Sequence, residues 1–360
     1  MRDSLLKTYF FATALMLLSF TAFASDENTE TEGGYDPVPV IMHHISDSHE
    51  WHLWGKGQES VGVPLPVILW TDNGLVSFMS SAFHHDDEGH HIVERKGQKF
   101  VKIHDKIYQL NSGSEHAIFD DNHHLENGSR SLDFSITKNV ASMFVATLLL
   151  LLIFLKVASF YKNHGVAAPK GITGVVEPII VYIRDEIALV NIGEKKYMKF
   201  MPYLLTVFFF ILINNIMGLI PWIPGGANLT GNIAVTLVLA FFTLIIVNIN
   251  GNKEYWGHIF WMPGAPWPVK LLLMPIELVG VLTKPFALMI RLFANITAGH
   301  IVILSLLSLV FIFKSVAMSL VAVPFALFIS VLEILVAFLQ AYVFTMLTAL
   351  FIGTAVAEHH

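Results

Sequence analysis

The sequence contains no cysteine, and this absence excludes disulfide bonds, thiolate catalysis and cysteine-based metal sites. Charged residues are also scarce, at 14% of the chain against 54% hydrophobic residues, and they concentrate in the first third. This distribution indicates a membrane protein with a polar N-terminal part. Because there is no dense basic cluster, we expect no nucleic-acid partner.

The first 24 residues have the pattern of a secretion signal peptide. Arg2 and Lys7 precede an apolar core at residues 9–20, and the small-x-small sequence Ala22-Phe23-Ala24 follows. An uncleaved first transmembrane helix is the alternative, but about 12 apolar residues are too few for the roughly 20 that span a bilayer. We therefore predict a signal peptide at 1–24, which places the mature N-terminus across the membrane.

Residues 25–135 are predicted to form a His-rich extracytoplasmic module. The strand-like run 63–71 precedes an Asp-Asn-Gly turn and the run 75–79, which is the pattern of a hairpin. A second hairpin is predicted to pair 91–94 with 100–104. The expected module is small and β-rich.

Residues 136–360 are predicted to be the membrane-embedded domain. A first span begins near residue 139, with Asp133 and Ser135 as expected caps. The loop after it carries most of the basic residues of the membrane half, so the positive-inside rule makes it cytoplasmic. Apolar periodicity at 172–192 predicts a helix on the membrane surface. The run 200–252 contains no charge and is long enough for two spans.

Two further hydrophobic stretches, at about 269–313 and 317–356, complete the chain. Each has about 40 residues, so a straight helix would reach roughly 60 Å, about twice the hydrocarbon thickness. Such helices must be strongly tilted, bent at Pro275, Pro285 or Pro324, or broken. The expected fold class is an all-α polytopic membrane protein with about five membrane-embedded helices, the last two long and strongly tilted.

Arg291 lies in the most apolar third of the chain, with no acidic residue between Glu277 and Glu333. A guanidinium does not lose its proton in a protein, and at the bilayer centre it costs about 2.5–3.5 kcal/mol on insertion scales. Such a cation needs an anionic partner elsewhere, on another part of the chain or on another chain.

The polar residues of the last two stretches are regularly spaced. Glu277, Lys284 and Arg291 follow at intervals of seven and therefore share one slowly drifting helical face. The same face continues at Asn295 and His300. On the last stretch, Glu333 and Gln340 are also seven residues apart and share a second face. Ionisable groups on facing stripes inside a membrane typically line a hydrated ion path.

Several of these residues also have a purely structural interpretation. Glu277 and Lys284 could form an interfacial ion-pair network. His300 with Glu333 could be a buried hydrogen bond without a transport role. Interhelical packing would equally explain the polar amides on the spans, namely Asn295, Gln340, Asn214 and Asn215.

The motifs of the last two stretches resemble those of subunit a of the F-type ATP synthases. The similarity is carried by Pro275-Ile-Glu277, Lys284-Pro285, Arg291-Leu-Phe-Ala-Asn295, Ala298-Gly299-His300, and Glu333 through Gln340-Ala-Tyr-Val-Phe344. It covers residues 271–357 closely and 139–250 more loosely. In many bacterial relatives the carboxylate occupies the His300 position and the imidazole the Glu333 position, so the two are exchanged here. The exchange favours a reciprocal pair across the two helices.

The resemblance implies a non-catalytic, proton-translocating stator subunit in a bacterial inner membrane. Arg291 would face the carboxylates of a subunit c ring, Glu277 would belong to the cytoplasmic half-channel, and the opposite half-channel would contain Asn295, His300, Glu333 and Gln340. Lys284, Asn214 and Asn215 are structural or channel-lining candidates. The implied partners are the c ring, the subunit b peripheral stalk, the rest of the complex and lipid. The N-terminal module would be periplasmic and the C-terminus cytoplasmic.

Other functions stay open at this point. A self-contained ion channel or secondary transporter is the main alternative, and a membrane-anchored metal-binding protein is a third. The histidines of the module, which include His43, His44, His49, His52, His84, His85, His90, His91, His123 and His124, match no closed metal site. We expect no metal ion and no cofactor, and a solvated surface or a proton-collecting role at the channel mouth for these histidines.

Overall fold

The computed structural model of the 360-residue chain describes residues 35–54, 61–111, 113, 114, 116–120, 125–165, 167–220, 225–262, 264 and 266–357, without the side chains of 52–54. The predicted signal peptide at 1–24 lies outside these ranges. The cleavage of that segment therefore stays a prediction.

The N-terminal module is rich in β-structure, as the turn signals predict. It opens with α1 (Val38–Ile45). The strands are β1 (Glu50–Trp54), β2 (Val61–Pro64), β3 (Pro66–Thr71), β4 (Gly74–Met79), β5 (Val93–Arg95), β6 (Gln98–Ile103), β7 (Lys106–Leu110), β8 (Gly128–Arg130) and β9 (Leu132–Asp133). They form three antiparallel sheets with the orders β1-β2, β4-β3-β9 and β5-β6-β7-β8.

Both predicted hairpins are present. In the first, Ile68 pairs with Ser77, and Gly74 at the turn has a φ of 98°. In the second, β5 and β6 are joined by Lys96 and Gly97, with φ values of 50° and 72°. Two consecutive left-handed residues match the right-handed twist of the flanking strands. A small core of buried side chains, with Val67, Leu69, Val76, Phe83 and Phe100 among them, lies beneath these strands.

The prediction that Asp133 and Ser135 cap the first span is wrong. Asp133 lies in β9, and its Oδ1 accepts a hydrogen bond from the Ser135 amide at 2.8 Å. The Ser135 hydroxyl accepts from the amide of Ile68 at 3.0 Å. Pairing with β3 therefore holds both side chains away from the helix start.

The carboxylate at that helix start comes from Asp47, far away in sequence. Helix α2 (Lys138–His164) begins after Thr137. Oδ1 of Asp47 accepts from the amide of Asn139 at 3.0 Å, and Oδ2 accepts from the hydroxyl of Thr137 at 2.8 Å. An anion here satisfies a free amide and complements the helix dipole.

The membrane half consists of helices. After α2 come α3 (Ile172–Tyr182), a π-helical segment (Ile183–Leu189), α4 (Val190–Ile192), α5 (Tyr197–Leu219), α6 (Ile233–Asn250), α7 (Lys253–Phe260), α8 (Trp267–Ile312) and α9 (Val316–Val356). In the part of the chain that the structure describes, five helices are long and apolar enough to cross a membrane: α2, α5, α6, α8 and α9. The polytopic helical fold is thereby confirmed.

The two long helices begin and end close to the predicted positions. Helices α8 and α9 have 46 and 41 residues, or about 69 and 62 Å at the α-helical rise. Pro275, Pro285 and Pro324 lie inside these helices without ending them. The two pack against each other, and α9 also packs against α5. Buried Leu288 and Phe344 contribute to the shared core.

Candidate functional site

Arg291 lies near the middle of α8, on a face turned away from the rest of the chain. Leu288 and Leu292 are 1% and 0% exposed, whereas the Arg291 side chain is exposed. Within the described ranges, no hydrogen bond or ion pair reaches its guanidinium. The 3.6-residue period explains this arrangement, because a core-facing stripe at 288 and 292 turns position 291 outward. The structure thus presents an unpaired cation on an apolar helix.

Glu277 and Lys284, the other two residues at seven-residue intervals, lie on earlier turns of α8. Glu277 is half-buried and Lys284 is exposed. They form no ion pair with each other. The Lys284 Nζ lies 5.7 Å from the centre of the Phe351 ring, in cation–π range. Burial, and secondly the charge of Glu277, raise the pKa of Tyr255 on α7, which places Glu277 near that phenol.

Asn295 and Gln340 connect the two long helices one turn from Arg291. The Asn295 Nδ2 donates to the Gln340 Oε1 at 2.9 Å. Gln340 is 2% exposed, so this hydrogen bond satisfies a buried amide. The pair fixes the helix-to-helix register beside Arg291, and both residues lie on the predicted faces.

Glu333 and His300 do not form the direct reciprocal pair that their exchange favours. No hydrogen bond or ion pair joins them in the described structure. The Glu333 carboxylate instead lies against Gly299, where a Cβ atom would overlap Oε1. His300 points toward α5, with its Nε2 3.9 Å from where a Cβ of Gly218 would be. The two side chains are therefore neighbours around Gly299, not bonded partners.

Asn214 and Asn215 are both buried near one end of α5, with 1% and 3% exposure. Asn215 donates to the carbonyl of Ala337 on α9 at 3.3 Å and accepts from the Thr230 hydroxyl at 2.7 Å. Asn214 donates to the carbonyl of Phe210 at 2.8 Å, but its Oδ1 lacks a protein partner in the described structure. Asn215 thus packs helices together, and Asn214 retains a free acceptor.

Two residues near the site were missed by the sequence analysis. Gly299 makes room for the Glu333 carboxylate. The sequence contained a signal for this close approach, because a glycine lies beside the polar face of the helix. Lys138 was assigned no role in the sequence analysis. In the structure it is 8% exposed and interacts electrostatically with His300. No local pattern indicates this interaction, because the two residues lie on different helices.

No group of three or more His, Asp or Glu side chains arranged to hold a metal ion occurs among the described residues. Several described histidines contact carboxylates or other rings instead. His49 Nε2 lies 2.9 Å from Asp133 Oδ2, and His85 Nδ1 lies 2.9 Å from Glu50 Oε2. The side chains of His52, His123 and His124 lie outside the described set.

Comparison with known proteins gives two family matches. The family model described as ATP synthase A chain matches residues 140–353, more than half of the chain. A model described as Domain of unknown function (DUF8433) matches residues 40–134.

Similar curated proteins carry consistent names. ATP synthase subunit a of Chlorobium phaeobacteroides strain BS1 is 50% identical over 233 residues, covering 63% of this chain and 67% of the relative. ATP synthase subunit a 2 of Prosthecochloris aestuarii is 50% identical over 233 residues, covering 63% and 70%. ATP synthase subunit a of Chloroherpeton thalassium is 49% identical over 230 residues, covering 63% and 68%.

Proposed function

The chain belongs to the ATP synthase A chain family, and from this premise we propose that it is the stator subunit that carries protons past a rotating subunit c ring. Family membership makes it a membrane protein of the F-type ATP synthase membrane sector, which assembles with the rest of that complex and serves ATP synthesis and proton transport. Two aqueous half-channels and their coupling to rotation are the proposed mechanism.

The observation that carries this proposal is the exposed, unpaired Arg291 in the middle of α8. At the bilayer centre its charge is tolerable only with hydration or an anionic partner. Because the described chain provides no partner, the carboxylates of the c ring are proposed to pass it one after another. An ion pair at about 4 Å and an effective dielectric of 20 is worth about 4 kcal/mol, enough to favour the ionised carboxylate.

The outer half-channel is proposed to run past Glu333, His300, Gln340 and Asn295. A proton from this side neutralises a ring carboxylate, and the neutral subunit then rotates into lipid. After nearly a full turn it meets the inner half-channel near Glu277, where the proton leaves. Arg291, with its permanent charge, prevents direct passage between the two half-channels. The membrane potential contributes about 2.3 kcal/mol per charge for each 100 mV.

The helix order supports a definite topology. The proposal places the module in the periplasm and α3, α7 and the C-terminus on the cytoplasmic side of a bacterial inner membrane. The basic residues that follow α2 support this orientation. Helices of about 69 and 62 Å are proposed to lie strongly tilted along the ring, since a bilayer core is only about 30 Å thick. Subunit b of the peripheral stalk is the proposed stator partner.

Arg291→Ala in membrane vesicles tests this function. Loss of an interaction near 4 kcal/mol corresponds to about a thousandfold, so ATP-driven acidification should disappear while the ring still co-purifies. Arg184→Ala is the control, because Arg184 is exposed and pairs with Asp185 at 2.7 Å. Retained pumping by Arg291→Ala would refute the assignment. Transport by the purified chain without a ring would favour a self-contained channel or secondary transporter.

A further inference from the structure

Residues 37–135 of the N-terminal module are hydrogen-bonded directly to the membrane half. The indole Nε1 of Trp51 donates to the carbonyl of Gly225, in the loop after α5, at 2.9 Å in a buried position. The amide of Lys138 donates to the carbonyl of Ser48 at 2.8 Å. Helix α1 also packs against α8. The module therefore covers the end of the helices where the outer half-channel is proposed to begin.

Lys138 lies in the seam between the module and the helices. It is 8% exposed, and its Nζ donates to the carbonyl of His44 at 3.4 Å. No carboxylate of the described chain lies within ion-pair distance. Its charge acts on Asp47 and Asp105 of the module and on His300 of α8. Buried lysines are rare unless paired, so Lys138 places an unusual positive charge in the seam between the module and the helices.

Asp105 is a half-buried carboxyl group of the module whose charge interacts with Lys138 in the seam. It lies in the turn between β6 and β7, and its amide donates to Asp87 Oδ1 at 2.7 Å. Burial, and secondly the charge of Asp87, raise the pKa of Asp105, although Lys102, His43 and His49 act in the opposite direction. A carboxyl with a raised pKa takes up protons closer to neutral pH.

Several buried polar atoms without a protein partner occur on the elements that border this seam. They belong to the module, α2, α5 and the loop between α5 and α6, and they are His49 Nδ1, Asn139 Oδ1, Ser142 Oγ, Asn214 Oδ1 and Asn228 Nδ2. Buried polar groups are normally satisfied by protein or by ordered water. These atoms therefore indicate a hydrated seam.

The inner end of this seam reaches His300. Gly218, next to the His300 Nε2, lies one turn after Asn214 on α5. A Cβ at Gly218 would also lie 3.3 Å from the carbonyl of Ala227, which immediately precedes Asn228. Two of the unpartnered amides thus flank the face of α5 that His300 approaches.

We propose that the N-terminal module forms the outer entrance of the proton path, so that protons reach His300 through the seam lined by Asp47, Asp105 and Lys138. The inference rests on the proposed stator function and assigns a role to the module. Each proton taken from outer water is passed on through the seam, and the seam groups return to their starting protonation states.

The absence of native cysteine permits a direct test. Asp105→Cys is introduced into the whole complex, which is purified in detergent. One half of the sample is treated with a cationic methanethiosulfonate, and the other half is left untreated. Both halves are then reconstituted in liposomes and compared for ATP-driven acidification. The matched control is Asp72→Cys, on the exposed turn between β3 and β4 of the same module. Treated wild-type complex accounts for thiols of other subunits.

Modified Asp105→Cys should pump about tenfold more slowly, because a fixed positive charge in the seam repels each proton that crosses it in either direction. A reducing agent should restore the rate, and modified Asp72→Cys should keep it. The proposal is overturned if Asp105→Cys is modified without loss of pumping or resists modification altogether. If Asp105→Cys does not assemble, Asp87→Cys takes its place with the same criteria. Arg291→Ala distinguishes failure of the stator function from failure of the entrance proposal. Retained pumping by Arg291→Ala refutes the stator function. If Arg291→Ala stops pumping but modified Asp105→Cys still pumps normally, only the entrance proposal is refuted.

Discussion

Gly299→Ala is the substitution for which the structure makes the sharpest prediction. An added Cβ would overlap Oε1 of Glu333 and lie 2.9 Å from its Cδ, so the carboxylate must move. Alanine favours a helix over glycine by about 1 kcal/mol, while an off-rotamer glutamate costs about 0.5–1.5 kcal/mol. The two effects nearly cancel, and the abundance of the assembled complex should change little.

Proton translocation should respond much more strongly than stability. A displacement of about 1 Å of a positioned group can cost about a hundredfold in rate. ATP-driven acidification by Gly299→Ala vesicles should therefore fall by about one to two orders of magnitude. The added substitution Glu333→Asp should restore part of the rate, because the shorter side chain withdraws from the new methyl group.

The matched control is Gly280→Ala on the same helix, since nothing lies within 4 Å of a Cβ at that position. Gly280→Ala should gain the same helix stabilisation of about 1 kcal/mol and should pump at the wild-type rate. The reasoning fails if Gly299→Ala pumps at the wild-type rate with normal assembly. It also fails if pumping falls only in proportion to the amount of complex, because the effect would then be one of folding.

Asp47, Asp133 and Asn295 each make a contact whose removal should have a measurable effect. Asp47→Ala removes the acceptor for the Asn139 amide and should destabilise the start of α2 by about 1 kcal/mol, measured by hydrogen exchange against Asp72→Ala; unchanged exchange would contradict it. Hydrogen bonds from His49 and Ser135 outweigh burial and lower the pKa of Asp133 below 3.8. Its stabilising contribution is therefore present above pH 3.8 and lost as the pH falls through the lowered value, so Asp133→Asn should flatten the acid dependence of module unfolding; an unchanged acid profile would oppose this. Asn295→Ala leaves the buried Gln340 Oε1 unpaired and should cost about 1–3 kcal/mol in the thermal unfolding of the complex, whereas no loss would show that the bond is unimportant.

The predictions from sequence succeeded where a physical signal is local. The two long hydrophobic stretches predicted α8 and α9 almost to the residue, because backbone groups in a bilayer must be satisfied within a helix. The two hairpins were recognisable because their turns need left-handed residues, as at Gly97. The seven-residue spacing of Glu277, Lys284 and Arg291 correctly predicted that they lie along one helix.

The failures concern contacts between distant segments. Asp47 occupies the start of α2 because the module folds back onto that helix, and nothing near residue 138 in the sequence records this. The direct pairing of His300 with Glu333 was expected from their exchange, but the rotation of α8 turns Gly299 toward Glu333 instead. Side-chain direction depends on how two helices pack, which spacing along one helix does not determine.

The position of Lys138 gives the His300/Glu333 exchange a physical reason. Family resemblance implies a carboxylate at position 300 in many relatives, but here that position lies within the electrostatic reach of a buried ammonium. The Lys138 charge would favour the ionised form of a carboxylate there, whereas a relay group must both take up and release protons. That charge does not favour the ionised form of an imidazole, while Glu333 fits on the opposite helix because residue 299 has no side chain. The exchange is thus consistent with the buried Lys138 at the start of α2, whose hydrogen bonds to Ser48 and His44 join that helix to the N-terminal module.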